Sequence, residues 1–136
     1  MKLNVTKAYG IKDYAMSAVF FAMPFLLGFD MRGAKSWVPM LLGGGVLAYS
    51  LITRYELSAF KLLSFPMHLL LDAGGGLLLA LSPWLFGFAD KVFIPYVLLG
   101  VAELAIALIT AYRTPEVRGN ITFLKRQVFS NPALRN

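Results

Sequence analysis

His68, Asp72 and Glu103 are the residues of this chain whose types and surroundings could carry chemistry. His68 and Asp72 stand four apart, so on a helix they share a face, and the imidazole can donate a hydrogen bond to the carboxylate. Glu103 is the sole charge in an apolar run from Phe93 to Tyr112. Ionisable groups inside such runs are costly, and function is their default reading. The chemistry they suggest is proton handling, assisted by Tyr49 or Thr53 from a neighbouring helix. The plainer alternative makes each a satisfied hydrogen-bonding group between helices. One histidine and two carboxylates form a thin metal set, and a haem would want a second axial ligand. Neither a metal nor a cofactor is therefore expected. No nucleophile, base and orienting group stand together, and no enzyme activity is expected.

The elements that must hold these residues are read from composition and hydropathy. The chain of 136 residues is 58% hydrophobic and 15% charged, well below the roughly 25% charged residues of soluble domains. Lipid is the solvent such a surface calls for. Absence of cysteine removes disulfides, thiolate metal sites and cysteine nucleophiles. The net charge of +6 reads as basic cytoplasmic flanks, and no nucleic-acid partner is expected. Four membrane-spanning helices are predicted: about Asp13 or Tyr14 to Phe29, Trp37 to Thr53 or Tyr55, Pro66 to Phe88, and Phe93 to Tyr112. Pro39 and Pro95 fall in the first turns of the second and fourth, where proline is tolerated. Arg54 and Glu56 close the second, and Leu57 to Phe65 forms an interfacial connection. Asp13 is expected to cap the first helix, where negative charge is favoured.

Four spans put both termini on one side. Lys2, Lys7, Lys12, Arg54, Lys61, Arg113, Arg118, Lys125, Arg126 and Arg135 then share that side, against Arg32, Lys35 and Lys91 on the other. This asymmetry makes both termini cytoplasmic, in a cell inner membrane. Phe25, Phe29, Trp37, Trp84, Phe86 and Phe88 collect towards the outer boundary, where aromatic rings anchor.

A shift of 59 lays Asp13 on Asp72, Pro24 on Pro83, Gly28 on Gly87 and Phe29 on Phe88. Slightly smaller shifts lay Pro39 on Pro95, Gly44 on Gly100, and Leu51-Ile52-Thr53 on Leu108-Ile109-Thr110. The fold class is thus all-α and polytopic, four transmembrane helices in two tandem helical-hairpin repeats of the same orientation. The transmembrane domain covers 1–112, with repeats at about 13–56 and 66–112, and a basic cytoplasmic tail covers 113–136. Repeat one has Tyr9 where repeat two has His68, and an apolar residue where repeat two has Glu103, so any chemistry is expected in repeat two alone.

Ser82-Pro83-Trp84, followed by Gly87-Phe88 and preceded by His68 and Asp72, resembles the SPW-repeat family of small bacterial membrane proteins. The resemblance covers roughly Tyr14 to Tyr112, and the first copy departs from it as Met23-Pro24-Phe25. It implies a fold and a membrane location, with the motif in the first helix of each repeat, and no established reaction. Physically, Pro83 removes a backbone hydrogen bond and bends its helix. Ser82 can hydrogen-bond locally, Trp84 can anchor at the headgroups, and Gly87 can end the helix. Pro24, Ser82, Pro83, Trp84 and Gly87 together read as a helix-kink motif.

Gly43, Gly44 and Gly45, with Gly74, Gly75 and Gly76, sit inside apolar runs and are expected to pack helices closely. Asn120 to Ser130 reads as a short amphipathic helix for a membrane surface or a partner. The leading expectation for function is a non-catalytic membrane subunit or scaffold, contacting lipid and packing against other membrane proteins or itself. A small proton-linked transporter using Asp72 and Glu103 is the alternative, and lipid or quinone binding at the Pro83 kink a further one.

Overall fold

A computed structural model describes residues 4–53 and 59–130. Lys2, Arg54, Glu56, Leu57 and Arg135, to which flanking and connecting roles were assigned above, lie outside the described residues. Five helices follow in order: α1 (Asn4–Leu26), α2 (Ala34–Ile52), α3 (Phe65–Leu85), α4 (Ile94–Arg113) and α5 (Pro115–Ser130). The remaining described residues form turns and connections, with one isolated bridge between Thr53 and Leu63. α1 packs closely on α2 and α3 on α4, giving two hairpins, and α2 meets α3 more sparsely. The tail helix starts at Pro115, earlier than the Asn120 that its amphipathic pattern suggests.

Among the described residues two helices, α3 and α4, are long and apolar enough to cross a membrane, rather than the expected four. The reason lies in what the other two carry. α1 includes Lys7, Lys12 and Asp13, and α2 includes Lys35, Ser36, Ser50 and three glycines. α1 also begins at Asn4, so Asp13 is an interior residue with no exposure and not the cap expected there.

The duplication is visible in the backbone. Gly28 and Gly87 have φ of 64° and 70°, the left-handed conformation that ends helices without a Cβ clash. The amide of Phe29 donates to the Pro24 carbonyl, and that of Phe88 to the Pro83 carbonyl, both at 2.8 Å. The Ser-Pro-Trp motif and its copy therefore stand in the last turn of α3 and α1, and they stop the helices at Leu85 and Leu26 instead of bending spans that continue to Phe88 and Phe29. In the second helices a shift of 57 superposes the buried stripes. Pro39, Gly43, Val46, Ser50 and Thr53 match Tyr96, Gly100, Glu103, Ala107 and Thr110. Gly43, rather than Gly44, is the counterpart of Gly100.

Each hairpin is closed by one of these glycines. A Cβ on Gly43 would stand 2.9 Å from the Ser17 carbonyl oxygen, and one on Gly76 would stand 2.7 Å from that of Gly100. The Ser17 hydroxyl uses this approach to donate to the Gly43 carbonyl at 2.8 Å. Gly44 makes only ordinary contact with the Phe21 ring at 3.7 Å, and Gly45, Gly74 and Gly75 face open space. Those four are not the close-packing residues expected from the triple-glycine runs, because a continuous run turns through every face of a helix and only one face meets the neighbour.

Two prolines leave carbonyls that hydroxyl groups then satisfy. Pro83 cannot bond the Leu79 carbonyl, and the Ser82 hydroxyl donates to it at 2.7 Å. α2 begins earlier than expected, at Ala34, which places Pro39 beyond the first turn and frees the Lys35 carbonyl. The Tyr96 hydroxyl of α4 donates to that oxygen from the other hairpin. Such rescue by side chains is how helices hold proline where water is scarce. Tyr96 also sits in the apolar core with Phe20, Met23, Val46, Leu79 and Phe88, which joins the hairpins at this end of the bundle. Ser82→Ala bares a buried carbonyl and Tyr96→Phe a partly buried one, and each is expected to lower stability by about 1–3 kcal/mol. Thermal unfolding of the protein in mild detergent reads this, with Ser82→Thr, which keeps the hydroxyl, close to the parent.

Candidate functional site

The other end of the bundle is joined by charge. Lys12 of α1 points inward, and its ammonium lies 2.7 Å from Asp13 Oδ1, 3.2 Å from Asp72 Oδ2 and 2.9 Å from Glu103 Oε2. Its side chain keeps 18% exposure, whereas the three carboxylates keep 4% or less. One cation thus serves carboxylates from α1, α3 and α4. Lys12 was expected among the flanking cytoplasmic charges, and the structure places it inside. The ammonium also lies 4.2 Å from the centre of the Tyr9 ring, within the range of a cation–π contact.

Each polar group around it has a definable role. Asp72 accepts from two phenols, Tyr9 at 2.6 Å on Oδ2 and Tyr49 at 2.5 Å on Oδ1. With both oxygens accepting, Asp72 is the carboxylate form. The Thr53 hydroxyl has one proton and gives it to the Tyr49 carbonyl at 2.6 Å. It must then accept from His68, whose Nδ1 lies 2.7 Å away and carries the hydrogen. The remaining ring nitrogen, Nε2, faces Asp13 Oδ2 at 2.7 Å and Asp72 Oδ2 at 3.4 Å. Two lone pairs would repel at 2.7 Å, so a proton lies between His68 and Asp13. Tyr9, Tyr49 and Phe65 enclose the imidazole, with ring centres 5.7, 4.9 and 6.2 Å from it.

These positions give a charge count. Lys12 offsets Asp72, and the proton shared by His68 and Asp13 makes that pair neutral overall. Glu103 is left over. Its Oε2 meets Lys12, while its buried Oε1 has no hydrogen-bond partner. The cluster is neutral when Glu103 holds a proton and carries one negative charge when it does not. In a low-dielectric interior the neutral form is favoured, and the second form invites a cation.

Asp13, His68 and Asp72 present ligand atoms within 4.8 Å of one another, as a metal ion would need. The Lys12 ammonium already sits against both carboxylates and supplies the positive charge there. The donor set therefore matches an ammonium better than a metal.

Lys12 joins Asp72 to Glu103, while Asp13 and Asp72 hold His68 beside them, and Tyr49 of α2 and Thr53 at its end reach the group. Tyr9, Lys12 and Asp13 were missed as members. The chemistry is not confined to repeat two, because Tyr9, Lys12, Asp13, Tyr49 and Thr53 all come from the first hairpin. The signal for two of them was present in the shift of 59, which lays Tyr9 and Asp13 on His68 and Asp72. Pro24, Ser82, Pro83, Trp84 and Gly87 stand apart from the cluster at the opposite ends of α1 and α3, as do Trp84 and Phe93, packed with ring centres 5.7 Å apart.

An apolar cleft of about 210 Å³ leads to the cluster between α2 and α3. Phe20, Leu41, Leu42, Val46, Leu71 and Gly76 line its walls, Gly45 and Gly75 leave it open, and Tyr49, Asp72 and Glu103 contribute its polar side. It lies about two turns before Pro83 along α3.

Lys12→Met leaves three carboxylates without their shared cation and is expected to destabilise by about 3 kcal/mol. Lys7→Met, at an exposed position one turn earlier, is expected to stay within about 0.5 kcal/mol of the parent. Unfolding midpoints in detergent compare the two, and equal effects would remove Lys12 from the centre of the site.

The SPW repeat domain matches residues 7–110, which takes in both hairpins and every member of the ion cluster from Tyr9 to Glu103. No curated protein and no solved structure matches the chain. With the match running over most of its length, the chain belongs to the SPW repeat family.

Proposed function

We propose that this chain is a multi-pass membrane protein whose buried ion cluster takes up and releases a proton, as the working site of a small, non-enzymatic proton-linked carrier. The observation that carries this reading is the Lys12 cluster itself. Replacing a buried set of ions by well-packed apolar residues is commonly neutral or stabilising, so a bundle that needed only to stand in a membrane has no use for Asp13, His68, Asp72 and Glu103 together. A pure scaffold or accessory subunit, the leading expectation from sequence, asks of these residues only that they join the hairpins, which apolar side chains could also do.

The membrane placement rests on an inside-out distribution of side chains. Charged and hydroxyl groups share the interior with the apolar core, while Leu26, Leu41, Leu70, Leu98, Leu108 and Ile109 are exposed on the bundle surface. Water disfavours such a surface and lipid favours it. In this reading α1 and α2 cross beside α3 and α4, because their own charges turn inward and their outer faces are apolar. Trp37, Trp84, Phe86 and Phe93 gather at the motif end, as an interfacial belt does. Arg113, Arg118, Lys125 and Arg126 lie at the far end and in α5, which supports cytoplasmic termini in a bacterial inner membrane.

The subunit reading keeps one observation of its own. α5 exposes Ile121, Phe123, Leu124, Val128 and Phe129 beside its basic residues, a surface suited to a headgroup layer or to another membrane protein.

A pH jump applied to proteoliposomes on a solid-supported membrane tests the proton reading without a substrate. The parent is expected to give a transient charge movement that Glu103→Gln reduces at least tenfold. A parent signal no larger than that of empty liposomes, or a full signal from Glu103→Gln, would contradict it.

A further inference from the structure

The cleft between α2 and α3 ends on a side chain that has one oxygen without a hydrogen-bond partner. Glu103 is 3% exposed, it lines the cleft, and its Oε1 is without a hydrogen bond. Once ionised, a carboxylate oxygen accepts hydrogen bonds and attracts cations, so the partner that suits Oε1 when Glu103 gives up its proton is a donor that bears positive charge. The cleft walls are apolar. Its lining includes Leu41, 65% exposed and on the surface read above as facing lipid, and Leu71, 40% exposed. A volume of about 210 Å³ equals that of roughly seven water molecules at ~30 Å³ each, enough for a small ring or short chain with one polar end.

From these observations we infer that the cleft binds a small, lipid-soluble organic ammonium ion, whose N–H group bonds Glu103 Oε1 in exchange for the proton that Glu103 otherwise holds. This deepens the proton-linked reading and rests on it. The exchange balances: Glu103 gives up one proton to solvent, the ligand brings one positive charge, and no covalent bond changes. The cluster stays neutral overall throughout, which is the physical reason that the two cations compete. Lys12 and Asp13 from α1, Tyr49 from α2, and His68 and Asp72 from α3 surround Glu103. Lys12, Asp13, His68 and Asp72 are held to one another by ion pairs and Tyr49 by its hydrogen bond to Asp72, whereas Glu103 Oε1 has neither.

The form of the cleft makes glycine at 75 part of the site. A Cβ there meets nothing within 4 Å, so a larger side chain can be added without displacing a helix, and it would fill the cleft. Gly45 is equally open on the α2 side. These are two of the glycines that do not pack helices, and the cleft gives their small size a use.

Isothermal titration of the full chain in detergent, with benzylamine hydrochloride and its uncharged counterpart benzyl alcohol, tests the inference. Benzylamine is expected to bind at least tenfold more tightly than the alcohol and to release one proton per molecule bound, as read from the dependence of heat on buffer. Its affinity is expected to rise about tenfold per pH unit while Glu103 is protonated in the free protein. Glu103→Gln and Gly75→Leu are each expected to weaken it at least tenfold, the second without touching an ion. Equal binding of amine and alcohol, absence of proton release, or unchanged affinity in both variants would overturn it. The charge movement after a pH jump, measured on the same preparations, separates two failures. Lost amine binding with the movement intact overturns this inference alone, and absence of the movement overturns the reading beneath it.

Discussion

The Lys12 ammonium is the interaction on which the arrangement depends. It stands between carboxylates of α1, α3 and α4 and so fastens the first hairpin to the second. Without it three acidic groups would face one another in an interior that water hardly reaches, at a cost of several kcal/mol. The apolar core around Phe20, Leu79 and Tyr96 makes the second joint. Between the two joints α2 and α3 part, and the cleft follows from that separation.

Much of the remaining structure is the consequence of holding polar backbone where little water is available. Pro39 and Pro83 each orphan a carbonyl, and each carbonyl has a hydroxyl on it, Tyr96 for the first and Ser82 for the second. This gives the serine of the Ser-Pro-Trp motif a definite task. The first copy carries Met23 at the same place and has no hydroxyl to offer there, yet it retains Pro24 and Gly28 and ends its helix with the same backbone bond as the second. Proline and glycine shape the terminus in both repeats, and the serine is an addition of the second.

The helical, duplicated fold was legible because it is written in long apolar runs and in pairs of residues at a constant offset. Half of the site was legible too, since His68, Asp72 and Glu103 interrupt runs where charge is costly. Lys12 and Asp13 were not. They stand close to the start of the chain, after mixed polar residues, and there a charge reads as a solvated flank or a cap. Only packing shows that α1 begins at Asn4 and turns both inward. The glycine runs misled for a related reason. Composition marks all six glycines alike, whereas contact selects Gly43 and Gly76 for packing and leaves Gly45 and Gly75 to the cleft.

The central claim is that Glu103 carries a proton when the site is empty, so that the cluster as a whole is neutral. Infrared spectroscopy of the protein in lipid near neutral pH measures this directly, through the carbonyl stretch of a protonated carboxyl group. The account predicts one such band, present in the parent and absent in Glu103→Gln, and lost on raising the pH. A parent spectrum with every carboxyl ionised, or a band that persists unchanged in Glu103→Gln, would contradict it.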